Sequence, residues 1–308
     1  MTTFHLDAPF GFALSAAAEF YAGFTSMGGA AAKRDRSLEL SFLTDGAFEA
    51  VRVKLTQRGD QLVVEGADAR VARQLSRMMG LDADGHAWRA LGQRVPQVGE
   101  LQRCWPGFFT AGFPSPYEAG IGGVLSHRSS MRQANALRQK LAVKLGALGV
   151  VPSPRQLLAV KSFEGIPHQK WDVLHNLARA ALDGVLDAER LRALPQEFAL
   201  EQLLQIHGVG PWTAAHMLIR GATTQDVVPM TEHRVRHAFA HVFGRPASEY
   251  VRAADDWRPF RSWVSILLMR ALLRDGLWSA AKNTSWGSML SFQLTLSRAA
   301  STGSSAHR

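Results

Sequence analysis

The chain has 308 residues, of which 46% are hydrophobic and 20% charged, a balance that excludes a disordered protein and allows two ordinary domains. Its 35 Lys and Arg residues against 26 Asp and Glu residues give a formal net charge of +9. This excess favours a polyanionic partner, nucleic acid or acidic lipid, although a basic protein without such a partner has the same charge.

Cysteine usage limits the metal chemistry. Cys104 is the only cysteine, which excludes an internal disulfide and a four-cysteine metal cluster. A single thiol fits a reducing cytoplasm, where we expect the protein to act. We expect no secretory signal in MTTFHLDAPFGFAL and no transmembrane helix, since no run approaches about 20 uncharged apolar residues.

The N-terminal part is predicted to be a small α+β domain. Residues 37–66 contain three β-type segments, SLELSFL, FEAVRVKLT and QLVVEG, separated by the turn signals TDG and QRGD. Residues 67–80 then have helical spacing and end at Gly80, a common helix terminator.

From about Pro116 the pattern becomes all-helical. The helical segments are 117–126, 130–146, 154–162, 168–184, 199–206, 211–220, 231–243 and 257–275. We therefore predict an α+β domain at 1–112, a helical domain at 113–285, and a C-terminal extension at 286–308 that is flexible at its small, polar end.

One stretch of the helical part contains no acidic residue. It lies between Glu118 and Glu164 and holds seven basic residues: Arg128, Arg132, Arg138, Lys140, Lys144, Arg155 and Lys161. Such a run is either a solvated surface or a surface that faces phosphates, and the missing counter-charges favour the second.

The segment LLQIHGVGPWTAAHMLIRG, residues 203–221, predicts two helices joined by a tight hairpin. Gly208 and Gly210, on either side of Val209, permit positive φ and leave backbone N–H groups uncovered, and Pro211 suits the first turn of a helix. Uncovered N–H groups at a helix start attract an anion such as a DNA phosphate. An ordinary corner between two packed helices remains the alternative.

With this hairpin, the chain resembles the helix–hairpin–helix DNA glycosylases, and within them the bacterial inducible 3-methyladenine DNA glycosylase II family. Five segments in order carry the resemblance. They are GFPSPYEAGIGGVLSHRSSMRQANALRQKLAVKLG, FEGIPHQKWDVLHNLARAALDG, LLQIHGVGPWTAAHMLIRG, DVVPMTEHRVRHAF and WRPFRSWVSILLMRAL.

The resemblance implies a fold and an activity. The fold is an α+β N-terminal domain with an antiparallel sheet, followed by an all-α glycosylase fold of two helical lobes. The activity is base-excision repair: the enzyme flips an alkylated base of the 3-methyladenine type out of duplex DNA and hydrolyses its N-glycosidic bond. The implied protein is monomeric, binds no membrane, and meets its double-stranded, damaged DNA in the bacterial nucleoid.

The resemblance also implies the site residues. The family's catalytic aspartate lies twenty residues beyond the hairpin tryptophan, a position that Glu232 holds here. The base pocket falls on Trp212, on His216 where the archetype has tyrosine, and on Met269 where it has tryptophan. The interpretations of Glu232 as a mere helix-start residue, with Thr231 as cap, and of Trp212 as a core residue stay open.

DNA contacts and a cation are implied as well. The family's gap-filling position falls on His127 and Arg128 in SHRSS, and Arg132 follows in the acid-free stretch. No cofactor is required, but the hairpin of this family holds a structural monovalent cation, Na⁺ or K⁺, through carbonyls that here belong to Leu204, Ile206 and Gly208. Bifunctional relatives carry a nucleophilic lysine where this chain has Trp212, which implies a monofunctional hydrolase.

Two other functions fit the same residues. The aspartate-to-glutamate change and the loss of aromatic pocket residues allow a non-catalytic protein that binds DNA damage or junctions. A structural nucleic-acid-associated module that flips no base is the third hypothesis.

Overall fold

The computed structural model describes residues 3–22, 31–32 and 37–277, so the predicted extension at 286–308 lies outside the described residues. The N-terminal part contains one antiparallel sheet in the order β1-β5-β4-β3-β2. Its strands are β1 Thr3–Asp7, β2 Ala31–Ala32, β3 Leu38–Leu43, β4 Ala50–Arg58 and β5 Gln61–Glu65. The strands predicted within 37–66 are confirmed, and the apolar side chains that alternate along β4 and β5 face the core.

Four helices accompany the sheet: α1 Leu14–Ala22, α2 Ala69–Met79, α3 Gly85–Arg94 and α4 Pro96–Cys104. Helix α2 begins where the Asp68 carboxylate accepts the backbone N–H groups of Arg70 and Val71, and it ends at Gly80 with φ of 68°. That helix and its glycine terminator were predicted from the sequence, whereas α1, α3 and α4 were not placed.

The rest of the described chain is helical, as predicted. The helices are α5 Pro116–Ser126, α6 Met131–Lys144, α7 Pro154–Leu158, α8 His168–Leu182, α9 Ala188–Ala193, α10 Gln196–Leu204, α11 Pro211–His216, α12 His233–Phe243, α13 Tyr250–Ala254 and α14 Arg261–Arg274. Each predicted helical segment contains one of them, and a π-helical turn, Met217–Gly221, continues α11. Within the described residues, no helix is long and apolar enough to cross a bilayer.

Buried Arg77 joins the N-terminal part to the helical part. Its guanidinium donates from Nη1 to the Gly221 carbonyl at 2.7 Å, and from Nη2 to the Pro114 carbonyl at 2.6 Å and the Asp45 carboxylate at 2.8 Å. These bonds fix the end of the π-helical turn and the segment that leads into α5. Both flank the candidate site described below.

The two parts also share a core. Trp88 of α3 packs with ring centroids 5.3 Å from Phe260 and 5.2 Å from Trp263, which begin the last helix, α14. Side chains of the N-terminal part and of α14 therefore fill one apolar volume. The domain boundary between residues 112 and 113 stays a prediction.

Glu118, in the first turn of α5, is a carboxyl group inside this core. It is 4% exposed and accepts the backbone N–H of Leu43 at 3.1 Å. Burial raises its pKa to about 7, although the Leu43 bond and the Arg138 guanidinium oppose that rise. The fold therefore favours the protonated form of Glu118.

The pH dependence of stability tests this. Because the folded pKa is above the unfolded one, the stability from this group is complete below about pH 4.5 and is lost as pH rises to about 7. Glu118→Gln cannot ionise, so it does not lose this stability. The difference in free energy of unfolding between the variant and the parent should therefore increase by up to about 3 kcal/mol between pH 4.5 and 7 and stay constant above pH 7. Urea denaturation from pH 4.5 to 8 measures the difference, with surface Glu164→Gln as the control. A constant difference between Glu118→Gln and parent would contradict the assignment.

Candidate active site

The predicted hairpin connects α10 to α11. Gly208 has φ of +86°, and a Cβ at that position would lie 2.3 Å from Cγ2 of Val173 on α8. The Val209 N–H closes the turn by donating to the Ile206 carbonyl at 2.9 Å. Glycine is therefore required at 208 both by its backbone angle and by the close approach of α8.

The prediction for Gly210 was only half right. Its φ is −91°, an ordinary extended value, so positive φ is not what requires glycine there. Gly210 is instead the residue that precedes the first turn of α11, with Pro211 next, and a Cβ on it would meet nothing within 4 Å. The exposed backbone at 210 leaves room for a large group outside the protein, as a phosphate contact needs.

Glu232 precedes the first turn of α12 and is 1% exposed. Its Oε1 accepts the backbone N–H of Arg234 and its Oε2 accepts the indole N–H of Trp212, each at 3.2 Å. Glu232 itself, not Thr231, is thus the residue that caps α12. The predicted proximity of Glu232 and Trp212 is present, and so is the capping role of the alternative interpretation.

Trp212 lies in a short series of rings. Its indole stacks on His216 with centroids 5.0 Å apart and an interplanar angle of 11°. His216 in turn meets Phe113 edge to face at 5.5 Å. Trp212 is half-buried, whereas His216 and Phe113 are buried, so the tryptophan is the ring nearest to solvent.

His216 carries no charge at neutral pH. Burial lowers its pKa to about 3, and the Arg220 and Arg138 guanidinium groups lower it further. It therefore contributes a neutral ring to the site where the resemblance implies a tyrosine.

Met269 lines a small cavity beside Glu232. Its neighbours there are Ile219, Pro229, Glu232, Val235, Ser262, Ser265 and Ile266. The cavity has room for roughly one water molecule. Glu232 and Met269 thus share a cavity as predicted, but a base does not fit in it without movement of the walls.

His127 and Arg128 follow α5 in an exposed turn. Arg128 has φ of +51°, a left-handed conformation that is uncommon for a residue with a side chain. The Lys170 ammonium supports this turn by donating to the Leu125 carbonyl at 3.1 Å and to Ser129 Oγ at 2.9 Å. Sequence reasoning missed Lys170, because a lysine at a helix start gives no sign of its contacts with a distant turn.

The acid-free stretch is less uniform than its sequence suggested. Arg138 is 4% exposed, lies over the Phe113 ring at 5.7 Å, and has an Nη1 atom without a hydrogen-bond partner among the described residues. Lys140 and Lys144 lie 2.8 and 3.7 Å from the Glu164 carboxylate. Arg138 is therefore not part of a phosphate-facing surface. The exposed basic residues of the stretch are Arg128, Arg132, Lys144, Arg155 and Lys161.

The other carboxylates near α12 are already paired. Asp226 accepts from Nε of Arg261 at 2.6 Å and from Arg258 at 2.9 Å, and exposed Asp255 lies 3.5 Å from Arg258. No group of His, Cys, Asp and Glu side chains in the described ranges is arranged to hold a metal ion. Glu232 is thus the carboxylate that the structure places beside the hairpin tryptophan.

Comparisons with known proteins find relatives by sequence and by fold. No protein-family model matches the sequence. DNA-3-methyladenine glycosylase 2 of Escherichia coli is 27% identical over 178 residues, which cover 54% of this chain and 61% of that enzyme. DNA-3-methyladenine glycosylase 1 of Schizosaccharomyces pombe is 28% identical over 137 residues, which cover 42% and 59%. The chain thus matches less than two thirds of the length of either relative.

The fold is similar to that of a solved structure, the 3-methyladenine DNA glycosylase of Archaeoglobus fulgidus. The TM-score is 0.68 at 19% identity, and the alignment covers 86% of this chain and 97% of the other. The chain has the fold of the helix–hairpin–helix DNA glycosylases. The resemblance inferred from the five sequence segments is confirmed.

The two hairpin glycines should respond differently to substitution. Gly208→Ala places a Cβ against Val173 at positive φ, so it should cost roughly 1–3 kcal/mol of stability, partly restored by adding Val173→Ala. Gly210→Leu meets no neighbour and should keep stability within about 0.5 kcal/mol, yet it should weaken every duplex by the same factor, damaged or not. Thermal denaturation and fluorescence anisotropy measure the two effects. Equal loss of stability at both positions would contradict the interpretation.

Proposed function

We propose that this protein is a DNA glycosylase of base-excision repair, which flips an alkylated base of the 3-methyladenine type out of duplex DNA and hydrolyses its N-glycosidic bond. The observation that carries the proposal is the Glu232 carboxylate, bonded to the tryptophan two residues after the exposed backbone of Gly210. Such a reaction uses three groups: a backbone contact to phosphate, an aromatic ring and a carboxylate.

Glu232 has the electrostatic role. When the bond between base and C1′ breaks, its electron pair leaves with the base and positive charge grows on the deoxyribose. A carboxylate close to that charge stabilises the transition state, and water then adds to C1′ and loses a proton to give the abasic sugar. An alkylated purine leaves as a neutral base, so it needs little protonation by the protein.

The burial of Glu232 requires a movement. At 1% exposure the carboxylate contacts no substrate until neighbouring side chains shift, and the cavity beside it holds about one water molecule. The flipped nucleotide is therefore proposed to open this cavity as it enters, by displacing Met269 of the cavity wall.

We propose hydrolysis without strand cleavage. Trp212 takes the place of the lysine nucleophile implied for bifunctional relatives, and no lysine lies between Lys170 and Lys282. The Lys170 ammonium is already held by the Leu125 carbonyl and Ser129. No amine in this segment is thus available to form a Schiff base with the sugar.

The contacts to DNA are proposed to come from two surfaces. The turn of His127 and Arg128 fills the gap left by the flipped base, and its left-handed backbone supports this role because such conformations concentrate at functional sites. The Gly208–Gly210 hairpin and exposed Arg132 bind phosphates, and the protein acts on duplex DNA as a monomer.

A monovalent cation at the hairpin is proposed as a structural element. The carbonyls of Leu204, Ile206 and Gly208 lie at and after the end of α10, where helical carbonyls run out of partners. The Ile206 carbonyl accepts the Val209 N–H and keeps a second lone pair, so these oxygens fit carbonyl ligation. Such an ion would stiffen the hairpin.

Glu232→Gln tests the function. It keeps the shape and removes the charge, so release of alkylated bases should fall by roughly 2–4 kcal/mol of transition-state stabilisation, while binding to duplex with an abasic-site analogue changes much less. Single-turnover assays on alkylated duplex DNA measure release, and strands should break only after alkali is added. Release at the parent rate would make Glu232 a helix cap only, and a parent that releases no base would favour the non-catalytic binding protein. Glu232→Asp, which shortens the side chain, is the companion variant that tests whether the site is built for glutamate.

The salt dependence of binding tests the DNA surface. Exposed Arg132 should neutralise a phosphate, so Arg132→Gln should flatten the slope of log affinity against log salt by about 0.9. Lys140→Gln is the matched control, because the Lys140 charge is shared with Glu164 and should change the slope less. Titrations from 50 to 300 mM salt, roughly the range in which such slopes are linear, decide between them. Equal slopes for Arg132→Gln and parent would place the DNA elsewhere.

A further inference from the structure

We infer that Trp212 is a positioning residue for Glu232: its indole N–H holds the carboxylate in the orientation that faces the deoxyribose, in addition to offering a ring to the base. This inference rests on the proposed function, since it gives Trp212 a role that acts through the catalytic carboxylate. It adds a second task to the place in the base pocket that the resemblance assigns to Trp212.

The Glu232 carboxylate is held by hydrogen bonds to both of its oxygens. Oε1 accepts a hydrogen bond from the backbone N–H of Arg234 and Oε2 accepts one from Nε1 of Trp212, each at 3.2 Å. Two donors on different oxygens set the rotation of the carboxylate plane as well as its position. The Arg234 donor belongs to the backbone, whereas the Trp212 donor is a side chain that a substitution can remove.

The Trp212 indole is itself held in place. His216 stacks on one face at 5.0 Å with an interplanar angle of 11°. Helix α5 lies close to the ring edge, since a Cβ built on Gly123 would be 3.5 Å from Cζ3 of Trp212. A ring stacked on buried His216 and bordered by α5 transmits a fixed direction to its N–H, which a mobile surface tryptophan would not.

The chemistry of the indole N–H suits this positioning role. An indole N–H is a donor only and carries no charge, so it orients the carboxylate without neutralising it. The Arg234 guanidinium already lies within electrostatic reach of Glu232, since the glutamate raises the arginine's pKa against the larger lowering by burial. A second cation in the place of the indole would offset still more of the negative charge that the developing cation needs, so a neutral donor is the better partner there.

Trp212 is more exposed to solvent than Glu232. Trp212 is half-buried and Glu232 is buried, so a nucleotide that enters this site meets the ring before the carboxylate. Contact of the base with the indole and alignment of the carboxylate are then parts of a single rearrangement. If Trp212 served only as a stacking surface, a phenyl ring in its place would suffice.

Trp212→Phe is therefore the decisive variant. It keeps an aromatic ring and removes the N–H, and a hydrogen bond to a charged group is worth a rate factor of about 10- to 100-fold. Single-turnover release of alkylated bases should fall by that factor at saturating enzyme. Binding to duplex with an abasic-site analogue should change by less than about threefold, since the phosphate contacts remain. Parent-like release by a folded Trp212→Phe variant would overturn the inference.

A double-mutant cycle identifies the route of the effect. In a Glu232→Gln background, Trp212→Phe should lower release by less than about threefold, because the charge that the N–H served is already gone. A full additional loss there would mean that Trp212 acts on the base directly and would overturn the inference. Trp171→Phe is the matched control, since buried Trp171 donates its indole N–H to the Val160 carbonyl at 3.2 Å and lies on α8.

A spectroscopic measurement makes the test independent of turnover. The ¹H–¹⁵N resonance of the Trp212 indole, assigned by its absence in Trp212→Phe or by selective labelling, should shift in Glu232→Gln, while that of Trp171 stays in place. An unmoved Trp212 resonance would overturn the inference even if Trp212→Phe fails to fold. Failure of the proposed function appears differently, as a parent protein that releases no base or a Glu232→Gln variant that releases it at the parent rate.

Discussion

The buried guanidinium of Arg77 is the contact on which the site geometry depends. It binds the carbonyls of Pro114 and Gly221, which lie at the start of α5 and at the end of the π-helical turn after α11. Helix α5 carries Gly123, and the π-helical turn continues α11, which carries Trp212; α5 thus borders the indole beside Glu232. A charge buried at 2% exposure is costly unless it is paired and hydrogen-bonded, so the bonds of its two Nη atoms to Pro114, Gly221 and Asp45 hold the surrounding backbone in one arrangement.

The same arrangement makes the N-terminal part a structural support for the helical part. Arg77 comes from α2, Glu118 accepts an N–H from β3, and the rings of α3 pack on α14. The sheet contributes no side chain to the Glu232 cluster as described, yet the helices that form the cluster are held from its side. The residues of the candidate site thus lie in the helical part, and the N-terminal part stabilises the helices that carry them.

Much of this architecture could be predicted from the sequence, and the reasons are local. The strands within 37–66, the end of α2 at Gly80 and the hairpin at 208–210 each have residues whose backbone preferences decide the structure. The position of Glu232 followed from counting along a resemblance. Periodicity also placed the long helices, but it missed short α9 and α13, because a single helical turn or two gives too few repeats to detect.

The remaining features depend on contacts between distant residues. Arg138 looked like one more basic residue of a DNA-facing stretch, yet it is buried against Phe113, because a long side chain with an apolar stem can enter a core beside an aromatic ring. The partnership of Lys140 with Glu164 and the left-handed backbone of Arg128 have no local signature either. Composition indicates how much charge a surface has, and tertiary structure decides which charges remain available.

In the proposed function, the turn at Arg128 has a consequence for how the protein would search DNA. A left-handed residue costs conformational free energy, and Lys170 and Ser129 offset that cost while the chain folds, before any duplex is present. The backbone that presents the Arg128 side chain is therefore preorganised, and under the proposed function little backbone entropy would be lost at each encounter with DNA. A protein that examines many undamaged base pairs for each lesion benefits from a probe that is ready at every step, because the time spent at each site is then set by the DNA and not by refolding of the loop.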